Sequence, residues 1–203
     1  MTEKDLKNFI QNALKEDVGD GDHTSLASIP ASTTSKAHLL IKDDGIIAGI
    51  ELAKMIFNEV DSSLEIEQFL QDGDRVKFGD IAFIVKGNSI SILTGERLTL
   101  NCMQHMSAIA TKTAYLNTLI EDTNCKLLDT RKTTPLNRTI EKWAVKIGGG
   151  VNHRFGLYDM IMIKDNHIDF SGGISNAIQK TKTYLADNNK NLNKTYNNGA
   201  DDD

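Results

Sequence analysis

The stretch GGGVNHRFGLYDMIMIKDNH, residues 148–167, sets two histidines, an arginine and a lysine around the apolar run Met160-Ile161-Met162-Ile163. Four consecutive apolar residues leave no side for solvent, so the run reads as a strand buried on both faces. Cations therefore stand at both ends of the most buried strand of a chain whose net charge is −5. Such a placement needs a reason beyond solubility.

The flanking segments supply one. Upstream runs KLLDTRKTTPLNRTIEKWAVKI, residues 126–147. Leu127-Leu128 reads as a short strand ending at Asp129-Thr130-Arg131-Lys132. Thr134 is placed to cap a helix with Pro135 at its first position. Leu136, Ile140, Trp143, Ala144 and Ile147 form one apolar stripe, which Gly148 ends. Gly150–Asn152 reads as a brief strand. Downstream, Asp159–Ile163 is a strand ending at Lys164-Asp165-Asn166-His167. The next helix uses Ile174, Ala177, Ile178, Thr181 and Leu185. Strands alternating with helices from about residue 126 indicate a parallel sheet or barrel. Folds of that kind bind ligands at the carboxyl ends of their strands, and DTRK and KDNH both fall there.

Charge agrees with this placement. Residues 126–167 carry eight Lys/Arg and four Asp/Glu, a local +4 against −9 for the remainder. A nucleic-acid binder spreads basic residues over a broad face and interleaves exposed aromatics; here they are confined to one segment, which favours a small anion over a polymer. Lys126, Arg138, Lys142 and Lys146 read as a solvated helix face and its flanks. Arg131, Lys132, Arg154 and Lys164 sit at strand ends or beside the glycine run. Guanidinium forks match carboxylates and phosphates bidentately, and crowded cations repel one another unless an anion of more than one charge lies between them. A metal site from His153 and His167 is the weaker reading, because no Cys or carboxylate pattern completes it.

The first hundred residues are less chemical. Asp5–Glu16 is an amphipathic helix, acidic and unlike a secretory signal. EDVGDGDHTS, residues 16–25, lacks the spacing of a calcium loop and reads as Asx-type turns. Two strands surround Asp43-Asp44-Gly45, and IELAKMIFNEV is helical. Short strands fill residues 65–93, and a helix runs on from Glu96, with Met103 and Met106 as core and His105 as a structurally satisfied histidine. No apolar run reaches the ~18–20 residues that span a bilayer. Cys102 and Cys125 lack CxxC spacing and read as reduced thiols of a cytoplasmic protein.

LLDTRKTTP, EKWAVKIGGGVNHR and GLYDMIMIKDNHI together resemble the quinolinate phosphoribosyltransferases, the carboxylating nicotinate-nucleotide pyrophosphorylases of NAD biosynthesis. ALKEDVGDGDHTS, DDGIIAG and GERLTLNCMQHMSAIAT fit as well, so the resemblance covers about residues 5–185. It implies an N-terminal α/β sandwich (1–107) and an open α/β barrel, here partial (108–186). It also implies a head-to-tail homodimer with shared active sites. Arg97 would reach into the partner subunit's site. Arg131, His153, Arg154 and Lys164 would hold the two carboxylates of quinolinate. Thr130 and Lys132 would lie near quinolinate and phosphoribosyl pyrophosphate, with Lys132 the catalytic cation. The implied reaction is attack of the pyridine nitrogen on C1 of the donor, with Mg²⁺ assisting pyrophosphate, followed by loss of the 2-carboxylate as CO₂.

Two departures stand out. The family usually has glycine after the proline of TTP; here it is Leu136. The resemblance also stops near Leu185, before the acidic strand ends and glycine-rich loops that engage ribose, metal and 5-phosphate, and ADNNKNLNKTYNNGADDD reads as a disordered tail (187–203). About 75 residues of α/β pattern cannot close a barrel that typically takes ~250, so a truncated chain is expected. Three classes of function follow: the transferase; a non-catalytic remnant that binds quinolinate or pairs with a full-length subunit; and a carrier-like β module over residues 64–95, which would need covalent modification.

Overall fold

The computed structural model describes residues 3–196. It divides into two compact units, one running to Asn152 and one starting at His153. In chain order the first unit holds α1 (Glu3–Val18), α2 (His23–Ser28), β1 (Thr34–Leu40), β2 (Gly45–Ile46), α3 (Ile50–Val60), β3 (Glu65–Gln68), β4 (Arg75–Val76), β5 (Ile81–Asn88), α4 (Ser89–Thr118) and α5 (Arg138–Ile147). β5 is the middle of an antiparallel sheet in the order β1-β5-β3, and β2 pairs with β4.

α3 explains how this unit coheres. Its Ile50, Ala53 and Phe57 pack with Val76, Ala82, Phe83, Val85, Ile92 and Met103 against the sheet. Its Leu52 and Ile56 face a second cluster, with Leu6 and Ile10 of α1, Cys102, Met106 and Ala110 of α4, and Ile140 and Ala144 of α5. Two sets of apolar residues, each at three- or four-residue steps, thus serve two cores from one helix. Phe57 and Phe83 meet edge to face, centroids 6.3 Å apart at 82°.

The helix expected from Glu96 starts seven residues earlier. Ser89-Ile90-Ser91-Ile92 alternates like a strand, but Asn88 Oδ1 accepts from the Ile90 and Ser91 amides at 3.0 and 3.2 Å. That cap satisfies donors a helix start leaves open and commits the segment to α4. The acidic loop is also shorter than expected, because α1 runs to Val18 and Asp22 caps α2 through the Ser25 amide at 3.1 Å.

The α/β pattern after residue 126 is present in outline. Leu128 and Val151 form a parallel bridge with α5 between them. The glycine run makes this return possible. A Cβ on Gly148 would lie 2.4 Å from the Ala110 carbonyl oxygen of α4, which no side chain tolerates, and Gly149 has φ +88°. α5 starts at Arg138, not at Pro135. Residues 135–137 form a turn in which Leu136 takes φ +67° and is 94% exposed.

The second unit is a β-α-α-β crossover of β6 (Met160–Ile163), α6 (Asp165–Ser171), α7 (Ile174–Asp187) and β7 (Asn193–Tyr196), with β6 and β7 parallel. Two expectations are corrected here. β6 is not buried on both faces: Met160, Ile161 and Met162 are half-buried and only Ile163 is buried. A two-stranded sheet with two short helices cannot cover both sides. Second, the segment 187–203 contains a strand, because β7 finds its partner across the crossover and needs no apolar periodicity of its own. The rest of that segment, from residue 197, lies outside the described residues.

Candidate active site

The Asp129–Thr134 loop leaves the Leu128 bridge and returns to α5. It is knitted by short-range bonds: Thr130 Oγ1 accepts from the Lys132 amide at 3.0 Å, and the Thr133 amide donates to the Arg131 carbonyl at 2.9 Å. Thr130, Arg131 and Lys132 thereby sit on one turn. Arg131 is half-buried, and among the described residues its Nε finds no acceptor. A guanidinium N–H shielded from water without a partner is costly, and a bound carboxylate or phosphate would satisfy it.

α5 carries the groups that hold this loop, and three of them were not singled out from the sequence as more than helix surface. Lys142, expected to be solvated, is buried: it pairs with Asp129, the two side chains only 4% and 5% exposed. With its amide turned to donate, Asn152 adds bonds to Asp129 Oδ2 at 2.9 Å and to the Lys142 carbonyl at 2.8 Å. Arg138 Nε donates to Thr133 Oγ1 at 3.0 Å. The buried Glu141 carboxylate accepts from the Thr134 amide at 3.2 Å and lies 2.9 Å from His105 Nε2 on α4. Burial works against that carboxylate, yet the bonds from His105 and Thr134 outweigh it and hold its pKa below the ordinary 4.5. A signal for these roles existed: Arg138, Glu141 and Lys142 lie at i, i+3 and i+4, one helix face. Charges on such a face are more often solvated, and only their non-local partners reveal the difference.

His153, Arg154 and Lys164 belong to the second unit, and all three are half-buried. Lys164 directly follows β6 and caps α6, its amide donating to His167 Nδ1 at 3.0 Å. That bond occupies Nδ1 of His167. Arg154 and His167 line one cavity of about 360 Å³, together with Met160, Met162, Lys180 and Tyr184. Arg97 is exposed on α4.

Among the described residues there is no group of three or more His, Cys, Asp or Glu arranged to hold a metal ion. Two carboxylates that hold the cationic loop, Asp129 and Glu141, are committed to Lys142 and to Thr134 and His105. No helix among the described residues is long and apolar enough to cross a membrane.

A cation-bearing loop at the end of a parallel bridge, in a chain that continues as a β-α-α-β crossover, defines an α/β protein. Known proteins make that class specific. The family model "Quinolinate phosphoribosyl transferase, N-terminal domain" matches residues 22–107, and its C-terminal counterpart matches residues 109–198. The chain is 52% identical over 185 residues to "Quinolinate phosphoribosyltransferase [decarboxylating] 1b" of Nicotiana tabacum, covering 91% of this chain and 52% of that protein. It is 41% identical over 182 residues to the "Probable nicotinate-nucleotide pyrophosphorylase [carboxylating]" of Bacillus subtilis, covering 90% and 63%. The solved NadC from Streptococcus pyogenes superposes with a TM-score of 0.87 at 37% identity, over 96% of this chain and 68% of that one. The chain belongs to the quinolinate phosphoribosyl transferase family, and spans about half the length of the tobacco relative it matches. The match reaches residue 198, beyond the Leu185 at which the motifs end.

Proposed function

We propose that this chain carries the dicarboxylate-binding part of a quinolinate phosphoribosyltransferase. In that reaction quinolinate and phosphoribosyl pyrophosphate give nicotinate mononucleotide, CO₂ and pyrophosphate. The observation that carries the reading is Arg131: a half-buried guanidinium whose Nε is orphaned, on a turn it shares with Thr130 and Lys132. Arg131, His153, Arg154 and Lys164 hold the two carboxylates. Lys132 is the catalytic cation, placed for the charge that builds as pyrophosphate departs, and Thr130 orients the bound groups. Fixed cations suit this chemistry, because charge develops on the leaving group and preorganised partners stabilise it without rearranging. Once the ring nitrogen has bonded to the sugar C1, its positive charge stabilises the carbanion left by CO₂. No nucleophilic side chain is needed. Arg97 reaches across a homodimer, and the protein works in the cytoplasm; among plant relatives, the Arabidopsis thaliana protein is named chloroplastic.

The metal is not assigned to residues of this chain, and no step is routed through it. A second reading stands beside the first: the chain binds quinolinate and does not turn it over alone. Calorimetry with quinolinate, together with turnover in the presence of phosphoribosyl pyrophosphate and Mg²⁺, separates the two. Binding without product selects the second reading, and product selects the first. Arg131→Ala and Arg154→Ala are each expected to weaken quinolinate binding at least ~tenfold, as loss of a charge-assisted bidentate contact does. Unchanged affinity in both variants would refute the site.

A further inference from the structure

The cations proposed to meet the substrate lie on a loop, and loops are soft unless something fixes them. Here both ends of the loop are gripped by one face of α5. Lys142 holds the near end through Asp129, with both side chains almost wholly buried. Arg138 holds the far end through Thr133 Oγ1 at 3.0 Å. Glu141 holds the next residue through the Thr134 amide, at 3.2 and 3.3 Å from its two oxygens. The three grips follow the i, i+3, i+4 spacing that brings side chains onto a common helical face. Glu141 is also tied to α4 through His105 at 2.9 Å, so the loop is referenced to two helices. α5 in turn is seated in the helical core by Ile140 and Ala144.

We infer that Glu141 is a positioning residue. Through Thr134 it fixes the exit of the Thr130–Lys132 turn, and thereby sets the aim of Arg131 and Lys132 at a dianionic ligand. Glu141 touches no substrate itself. The inference rests on the function proposed above, so its test needs a readout that does not.

The first readout is amide hydrogen exchange of the full chain, resolved over residues 129–137. In the wild type the Thr134 amide is protected by the Glu141 carboxylate. Glu141→Ala removes that acceptor and should raise exchange in this segment at least ~tenfold, the order expected for one lost charged hydrogen bond, while β5 and α3 keep their protection. Glu141→Gln keeps an amide oxygen able to accept from Thr134 and should remain within about threefold of wild type. The second readout is quinolinate affinity by calorimetry, expected to fall about tenfold in Glu141→Ala and to recover in Glu141→Gln. A general loss of fold in Glu141→Ala would show as exchange rising everywhere. Arg138→Gln, which loosens the same exit from Thr133, then serves as the second variant and should reproduce the local effect. Exchange over 129–137 that does not change in either variant overturns the inference, whatever the ligand does. Local loosening with unchanged affinity overturns it as well, leaving only a structural bond. A wild type that is protected as described but takes up no quinolinate overturns the proposed function and not the clamp, which exchange reads by itself.

Discussion

Leu136 stands in a left-handed backbone conformation, φ +67°, with its side chain almost wholly in water. For a branched residue that conformation costs roughly 1–2 kcal/mol, because Cβ crowds the following carbonyl. Glycine escapes the crowding but loses more chain entropy on folding. Leu136→Gly should therefore raise stability by a net of about 0.5–1 kcal/mol, as no buried packing is lost; a urea midpoint at or below wild type would refute the strain. The departure was visible in the sequence, but its consequence was not, since a φ angle is set by the turn between the loop and α5 and not by Leu136. Lys142 teaches the same lesson with opposite sign. Its helix position reads as surface, yet Asp129 arrives from thirteen residues upstream and the pair is sealed from water. Removing one member strands the other: Lys142→Met should cost about 3–5 kcal/mol, and Asp129→Leu combined with it clearly less than the two changes summed. Additive losses in thermal or chemical unfolding would show the two groups to be independent.

At the scale of elements, α4 and α5 are joined in two ways, by apolar packing and by the His105–Glu141 contact. The second has a pH signature. The Glu141 carboxylate has its pKa depressed in the folded chain, so it contributes stability that is fully present above its unfolded value near 4.5 and is lost as pH falls through the lower folded value. Acid unfolding of the wild type should therefore steepen below about pH 4.5, and Glu141→Gln should lower stability in the neutral region, converge with the wild type in acid and so flatten that limb. Equal steepness in the variant would mean that other carboxylates carry the acid sensitivity. Most helices were legible in the sequence because their stripes recur at helical spacing: Leu6 and Ile10, Ile140 and Ala144, Ala177 and Leu185 are all buried as that spacing requires. The α4 start was not, because Ser-Ile-Ser-Ile satisfies the strand period and only Asn88 arbitrates. β7 was not, because its evidence lies in β6, some thirty residues away, and not in its own Asn-rich sequence.

Over the whole molecule, protection is unevenly distributed. The first unit is organised by two apolar clusters, whereas in the second only Ile163, Ala177 and Leu185 are buried apolar residues among those described. Leu157, Tyr158, Phe170 and Ile174 there are each more than 60% exposed. Local opening free energies follow such differences. Amides of α3, β5 and the middle of α4 should exchange slowest, and those of β6, α6 and α7 markedly faster; uniform exchange would contradict the division. The class of fold could be read from the chain, as could the placement of cationic residues such as Lys164 at strand ends. The scaffolding under them could not, because each of its bonds joins residues that no local pattern links.

One last consequence concerns α4. The two family domains meet between residues 107 and 109, and α4 runs unbroken from Ser89 to Thr118, about 45 Å of continuous helix at 1.5 Å per residue. The seam at which the family divides therefore coincides with a stiff rod and not with a joint. Evolution may be counted in two pieces there, but mechanics sees one beam: Met103 faces the sheet core on one side of the seam, Ala110 the helical core on the other, and the hydrogen-bonded backbone between them offers no torsion about which either piece can swing.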